Sequence, residues 1–257
     1  MKTFLLTILI ISFNMEITAQ TSFIDSGIFQ WKNLDIRESR GRQYRKVLEG
    51  KTDEFSFFEI HVSTQFPGAQ SRPPHTQADI EELIIVKEGI LTCILDGKSK
   101  DLSKGSVILV PPGVEQSMFN THDVPVTYYV IMFKAAKAID MMRSDKAGGA
   151  LMIEASELVY TDKGDKGSIQ YFDRPTATTE NFEMHITKLK KQGPSHSPHS
   201  HVDTEIILVN EGQVSMTIDG KSFLASEGDI LFARSGSFHG VSNATDEACA
   251  YFAFKWR

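Results

Sequence analysis

"EELIIVKEGILTCILDGKSKDLSKGSVILVPPGVEQSMFN", residues 81–120, lies over "TEIILVNEGQVSMTIDGKSFLASEGDILFARSGSFHGVSN", residues 204–243, at a constant offset of 123. About a third of the positions are identical, among them Glu82/Glu205, Gly89/Gly212, Gly105/Gly228, Gly113/Gly236, Asn120/Asn243 and the whole run Asp96–Ser99 over Asp219–Ser222. A second block, "FEIHVST" (58–64) over "FEMHITK" (182–188), extends the match upstream at an offset of 124. So many glycines in register make chance agreement improbable: the chain carries two copies of one unit.

The local signals in each copy are β. Apolar runs of four to seven residues (Leu83–Val86, Val107–Val110, Tyr128–Phe133; Ile206–Val209, Ile230–Phe232, Tyr251–Phe254) are punctuated by "EG", "DGK" and "PPG". "LDGK" and "IDGK" are Asp-Gly turns of the kind that closes a two-residue hairpin. Many short strands with frequent turns indicate a sandwich or barrel, so the duplication predicts an all-β chain of two small barrels in tandem. Between the copies, "AAKAIDMMRSDKAGG" (135–149) reads as a short helical linker ending at a glycine pair.

"MKTFLLTILIISFNMEITAQ" opens with a lysine, an apolar stretch from Phe4 to about Phe13, and small residues at Thr18 and Ala19, which reads as a cleaved export signal. The stretch is shorter than the roughly 20 residues of a membrane span. The expected division is a signal peptide over 1–19, an N-terminal barrel over 20–134, a linker over 135–150 and a C-terminal barrel over 151–257, giving a secreted or periplasmic protein. With 41% hydrophobic and 23% charged residues the remainder is ordinary globular material. The net charge of −6 comes without any long basic cluster, which argues against nucleic-acid or anionic-membrane partners. Cys93 and Cys249 occupy non-equivalent positions of the two copies inside apolar runs, and are expected to be buried free thiols.

The chemistry concentrates in "GPSHSPHSHVDTEIILVNEG", residues 193–212. Strand alternation sends His199 and His201 to one side. Glu205 starts the adjacent strand, and His239 begins another behind a glycine-rich turn. Three imidazoles and a carboxylate form a mixed N/O set suited to Mn, Fe, Co, Ni, Cu or Zn, with coordination positions left for water or substrate. His196 is expected at the entrance. His61 and His185 alternate with apolar neighbours, and if those face the barrel core, both histidines point outward or into the contact between barrels.

These residues resemble the cupins, whose two motifs are G(X)5HXH(X)3-4E(X)6G and G(X)5PXG(X)2H(X)3N. Gly193, His199, His201, Glu205 and Gly212 satisfy the first at every spacing; Gly228, Gly236, His239 and Asn243 satisfy the second. Arg234 stands in place of the second motif's proline and puts a cation near the barrel mouth, either to clamp a substrate carboxylate or to make a surface ion pair. The resemblance implies a bicupin of two jelly-roll barrels with one divalent transition metal held by His199, His201, Glu205 and His239. In the N-terminal copy, His75 and Glu82 hold their places, but Gln77 and Gln116 replace two histidines. Neutral amides are weak ligands beside imidazole, so that copy is expected to be structural, with a substrate pocket as the alternative.

The same ligand set serves many reactions. The leading reading is a metalloenzyme acting on a small organic substrate, similar to quercetin dioxygenase-type cupins, with Glu205, His196 and Arg234 as catalytic candidates. Oxalate-decarboxylase-like and ureidoglycine-aminohydrolase-like bicupins are the enzymatic alternatives. The non-enzymatic one is a periplasmic protein that binds a sugar acid or similar small molecule. A homodimer is left open. Which of His196, His61, Gln213 or Tyr251 reaches the cavity is decided by the fold.

Overall fold

A computed structural model describes residues 22–257; the export signal expected over 1–19 lies outside the described residues. The regular structure of the described residues is almost entirely antiparallel sheet. In the N-terminal half, a seven-stranded sheet runs in the order Leu151–Ile153, Val107–Val110, Glu81–Glu88, Val126–Ala135, Phe55–Gln65, Arg42–Gly50, Arg37–Ser39. It faces a three-stranded sheet of Lys98–Ser103, Ile90–Leu95 and Gln116–Phe119. The C-terminal half repeats this plan. Its seven strands are Gly27–Phe29, Ile230–Ala233, Thr204–Glu211, Cys249–Trp256, Phe182–Leu189, Lys166–Arg174 and Thr161–Asp162; Gly193–Pro194, His239–Asn243, Gln213–Ile218 and Lys221–Ser226 form the smaller sheet.

The shared residues of the repeat explain themselves locally. Asp96-Gly97 and Asp219-Gly220 both have positive φ at each position (44° and 75°; 47° and 80°), as the hairpin turn predicted from "DGK" requires. Gly212 has φ 71°, and a Cβ there would lie 2.6 Å from the Ala248 carbonyl oxygen; Gly89 is confined in the same way against Pro125. Asn120 and Asn243 brace the turn before the last strand of each half: the Asn243 amide donates to the Glu247 carbonyl (2.7 Å) and accepts from the Thr245 N–H (3.1 Å), and Asn120 does the same with Val124 and His122.

The two sheets do not follow the boundaries read from the sequence. Gly27–Phe29 pairs with Ile230–Ala233 of the C-terminal sheet, and Leu151–Ile153 pairs with Val107–Val110 of the N-terminal one. Each copy therefore gives its first strand to the other. Two matched hydrogen bonds cross the junction at the same place: Tyr129 Oη donates to the Gly228 carbonyl (3.1 Å) and Tyr171 Oη to that of Gly105 (2.7 Å). The linker helix is confined to Met141–Lys146, capped by Asp140.

Three cores result. The largest lies between the two large sheets and mixes both halves, including Ile60, Phe133, Met184, Phe232, Phe254 and Trp256; each barrel interior holds a smaller one of its own. Large sheets covered on both faces bury both sets of alternating side chains. This reverses the expectation for His61 and His185. In Phe182–Leu189 the apolar set Phe182, Met184 and Ile186 packs between the barrels, so Glu183, His185 and Thr187 turn into the barrel interior. Cys93 and Cys249 are buried and free, and burial pushes their thiols up to about 12 and about 11.

Candidate metal centre

His199 and His201 precede the strand that begins at Thr204 rather than lying in one. Backbone bonds fix them instead. The His199 N–H donates to the His239 carbonyl (2.9 Å), the His239 N–H returns to that of His199 (2.8 Å), and the Gly236 N–H in the glycine turn donates to the His201 carbonyl (2.8 Å). Glu205 stands on the neighbouring strand, in register with Ala233 and Lys255. The loop carrying HxH and the turn carrying His239 are thereby tied into one frame.

The structure brings the four candidate ligands together. One ring nitrogen from each of His199, His201 and His239 lies within 4.8 Å of the others. Glu205 Oε2 is 3.0 Å from His201 Nε2 and 2.9 Å from His239 Nε2. On the far side of the rings, Nδ1 faces a backbone carbonyl: Ser197 for His199 (3.4 Å), Asp203 for His201 (3.0 Å) and Ser237 for His239 (2.9 Å). A neutral imidazole has one N–H. With Nδ1–H given to a carbonyl, the Nε2 of His201 and His239 points a lone pair at the place where the carboxylate points its own. Donors alone cannot satisfy that convergence unless both rings are cations. A single divalent cation satisfies it, with the outer hydrogen bonds orienting each ring as ligands are oriented in metal sites. The donor set fits a transition metal.

With the rings as donors instead, the same contacts couple tightly: burial tends to raise the Glu205 carboxyl, but hydrogen bonds from His201 and His239 and their charge outweigh it and hold Glu205 far below the usual range, while Glu205 in return raises His239 against its burial. Burial and the neighbouring His196 ring, whose centroid is 4.6 Å away, lower His199.

The cavity over this centre has a volume of about 220 Å³. His196 lines it near the mouth, and Tyr251 lines it from within, its hydroxyl pushed up to about 12 chiefly by burial. Arg234 is not brought to the site. It follows the end of its strand, and its guanidinium stacks on Phe23 and faces Asp53 at 3.8 Å, the surface ion pair of the two roles foreseen for it. Gln213 donates to Ser226 instead of reaching the cavity. His61 lines the corresponding cavity of the other barrel.

Two residues that sequence reasoning did not bring to the site are His185, expected outward or between the barrels, and Lys255; both line this cavity. Glu183 joins them, with one oxygen 3.1 Å from His185 Nδ1 and the other 3.1 Å from Lys255 Nζ. The signal for Lys255 was present: it is a lone cation at the same parity as Tyr251 in the apolar run "ACAYFAFKW". The Glu183 carboxyl is held down to about 2, first by the His185 hydrogen bond and also by Lys255.

Comparison with protein families matches the cupin domain to residues 62–132 and again to 185–255, more than half of the chain. The chain belongs to the cupin family. Solved structures similar to this cupin span both halves. They include the protein Ylba from E. coli (17% identity over 96% of this chain and 98% of that one, TM-score 0.67), and a putative glyoxylate induced protein from Pseudomonas aeruginosa (14%, 94% and 92%, TM-score 0.71). The oxalate decarboxylase of Lactobacillus farciminis is also similar (12%, 92% and 87%, TM-score 0.69). At these identities the likeness of the cupin to them is one of two-barrel fold. No curated protein sequence matches it. Among the described residues, no helix is long and apolar enough to cross a membrane.

Proposed function

We propose that this cupin is an exported metalloenzyme that binds one divalent transition metal in its C-terminal barrel, through His199, His201, Glu205 and His239, and acts on a small organic substrate. The observation that carries the reading is the donor arrangement: His201 and His239 have carbonyls on Nδ1 and a carboxylate on Nε2, a set that a dication completes. Bound there, the metal supplies Lewis-acid activation of a substrate oxygen and, if redox-active, electron exchange with dioxygen. The protein supplies the rest. Ile207, Val241 and Ala253 give the cavity an apolar side that limits water. Lys255, its ammonium held by Glu183, offers a cation to a substrate carboxylate. His185 donates Nδ1–H to Glu183, which leaves Nε2 to accept a proton, as in other carboxylate-oriented histidines.

A dioxygenase-like reaction is the first assignment, supported by the mixed ligand set and the apolar wall. The second is proton-transfer chemistry without net oxidation, of the decarboxylase or aminohydrolase kind, and it is favoured by the His185–Glu183–Lys255 array. Elemental analysis is expected to return one ion per chain; two tightly held ions would overturn the single-site reading. On reconstituted enzyme with a panel of small organic acids, dioxygen uptake selects the first assignment, and anaerobic turnover selects the second. Firm metal binding with turnover in neither condition would leave a binding protein. Glu205→Gln is expected to keep some metal and lose turnover by about 10²-fold or more. An unchanged rate per bound metal would make Glu205 a passive ligand. Export is tested by sequencing the mature N-terminus, expected just after Ala19; an intact Met1 would refute it.

A further inference from the structure

The N-terminal barrel has lost two histidines yet keeps a formed cavity. It has a volume of about 160 Å³ and opens against an outer chamber of about 470 Å³, the two sharing Arg42, Ser63, Arg72 and Pro73 in their walls. At its floor, Glu82 plays the part of Glu205, but amides occupy the imidazole places: Gln77 Nε2 donates to one oxygen (3.1 Å) and Gln116 Nε2 to the other (2.9 Å). The orientation of Gln116 is forced, since turning it over would set its oxygen against the carboxylate. Its Oε1 is consequently left without a partner, in a side chain only 1% exposed. An unpaired buried acceptor is costly unless something donates to it. Tyr128 lines the same cavity and already accepts a hydrogen bond from Gln65 (2.7 Å), so its own proton is free to be given inward.

The charges complement this floor. Arg42 and Arg72 stand where the cavity meets the outer chamber, and Arg37 and Arg40 line the chamber itself, four cations against the single carboxylate of Glu38. Among the described residues, none of the four has a carboxylate within ion-pair distance, in a chain of net charge −6. In the other barrel, Lys255 sits inside the cavity; Met132 is its counterpart here, in register with Glu59 as Lys255 is with Glu183. The positive charge has moved from the interior to the mouth.

We propose that the N-terminal barrel is a metal-independent binding site for a hydroxylated carboxylic acid of the sugar-acid class, with hydroxyls on Gln116 Oε1 and the Tyr128 hydroxyl and the carboxylate on Arg42 and Arg72. An anion alone would leave Gln116 Oε1 unsatisfied, and a neutral sugar would leave the arginines unmatched. The site owes nothing to the metal centre and stands whether or not that centre is an enzyme.

Calorimetric titration of the full chain, stripped of metal by chelation, with D-gluconate, D-galacturonate, D-galactose and acetate tests this. One sugar acid is expected to bind at one equivalent per chain, with galactose and acetate at least tenfold weaker. Arg72→Gln, at a side chain without hydrogen bonds of its own, should weaken the acid at least tenfold, and Gln116→Leu should abolish its advantage over acetate. His199→Ala/His239→Ala should leave the titration unchanged. Binding of neither sugar acid, equal binding of acetate or galactose, indifference to Arg72→Gln, or loss of the titration in the histidine double variant would each overturn the proposal.

Discussion

The two barrels differ in side chains at a site whose backbone they share. In the C-terminal half, His199 and His239 exchange a pair of backbone hydrogen bonds and Gly236 bonds to His201; in the N-terminal half, His75 and Gln116 exchange the same pair (3.0 and 2.9 Å) and Gly113 bonds to Gln77 (2.7 Å). Both floors are a glutamate with two side-chain nitrogens about 3 Å from its oxygens. Both walls keep a histidine on a glutamate, His185 on Glu183 and His61 on Glu59 (2.8 Å). What separates them is lone pairs. Nε2 of a neutral imidazole can hold a metal, whereas an amide NH₂ pointed at the carboxylate can only donate. The capacity to ligate thus rests on the side chains laid on a frame that both barrels build regardless.

If that is so, the sharpest break falls on a single ligand. His239→Ala should lower metal affinity by about 10²-fold or more while circular dichroism and the unfolding midpoint change little, since the core between the sheets, rather than one ion, dominates folding. Unfolding on metal loss would show the ion to be structural. The converse is a transplant: Gln77→His/Gln116→His should raise the metal content from one ion per chain to two, measured by elemental analysis. Failure of the double variant to take up metal would mean that the frames differ in more than their side chains.

A smaller effect distinguishes the walls. Glu183 has a folded value of about 2 against an ordinary 4.5, so the stability it contributes is present above pH 4.5 and is lost as the pH falls toward 2. Chemical denaturation at pH 6 and pH 3 should show about 1–2 kcal/mol of wild-type acid destabilisation missing from Glu183→Gln. The smallest test concerns the exchanged strands. Tyr129→Phe and Tyr171→Phe each remove one hydrogen bond to a glycine carbonyl of the opposite half, and each should cost about 1 kcal/mol. Clearly unequal costs would show that the exchange is not symmetrical in energy.

The repeat, the Asp-Gly turns and the glycine-braced strands were legible because each is a local rule: a turn needs positive φ whatever surrounds it, and duplication is visible as identity at fixed offset. The four candidate ligands could be named because HxH, Glu205 and His239 keep their spacing on a known plan. The sequence could not say which way an alternating strand faces when both of its faces are buried. In Phe182–Leu189 the apolar residues went to the contact between barrels, so His185 entered the cavity, and Lys255 joined it from a neighbouring strand more than sixty residues away in the chain. Nor could it say that Gly27–Phe29 and Leu151–Ile153 cross over, because a three-residue strand carries too little pattern to name its partner. Local chemistry determined the turns, the duplication and the candidate ligand types; the docking of one sheet on the other decided which side chains share a cavity, because burial of the largest apolar surface fixes the facing of every strand in it.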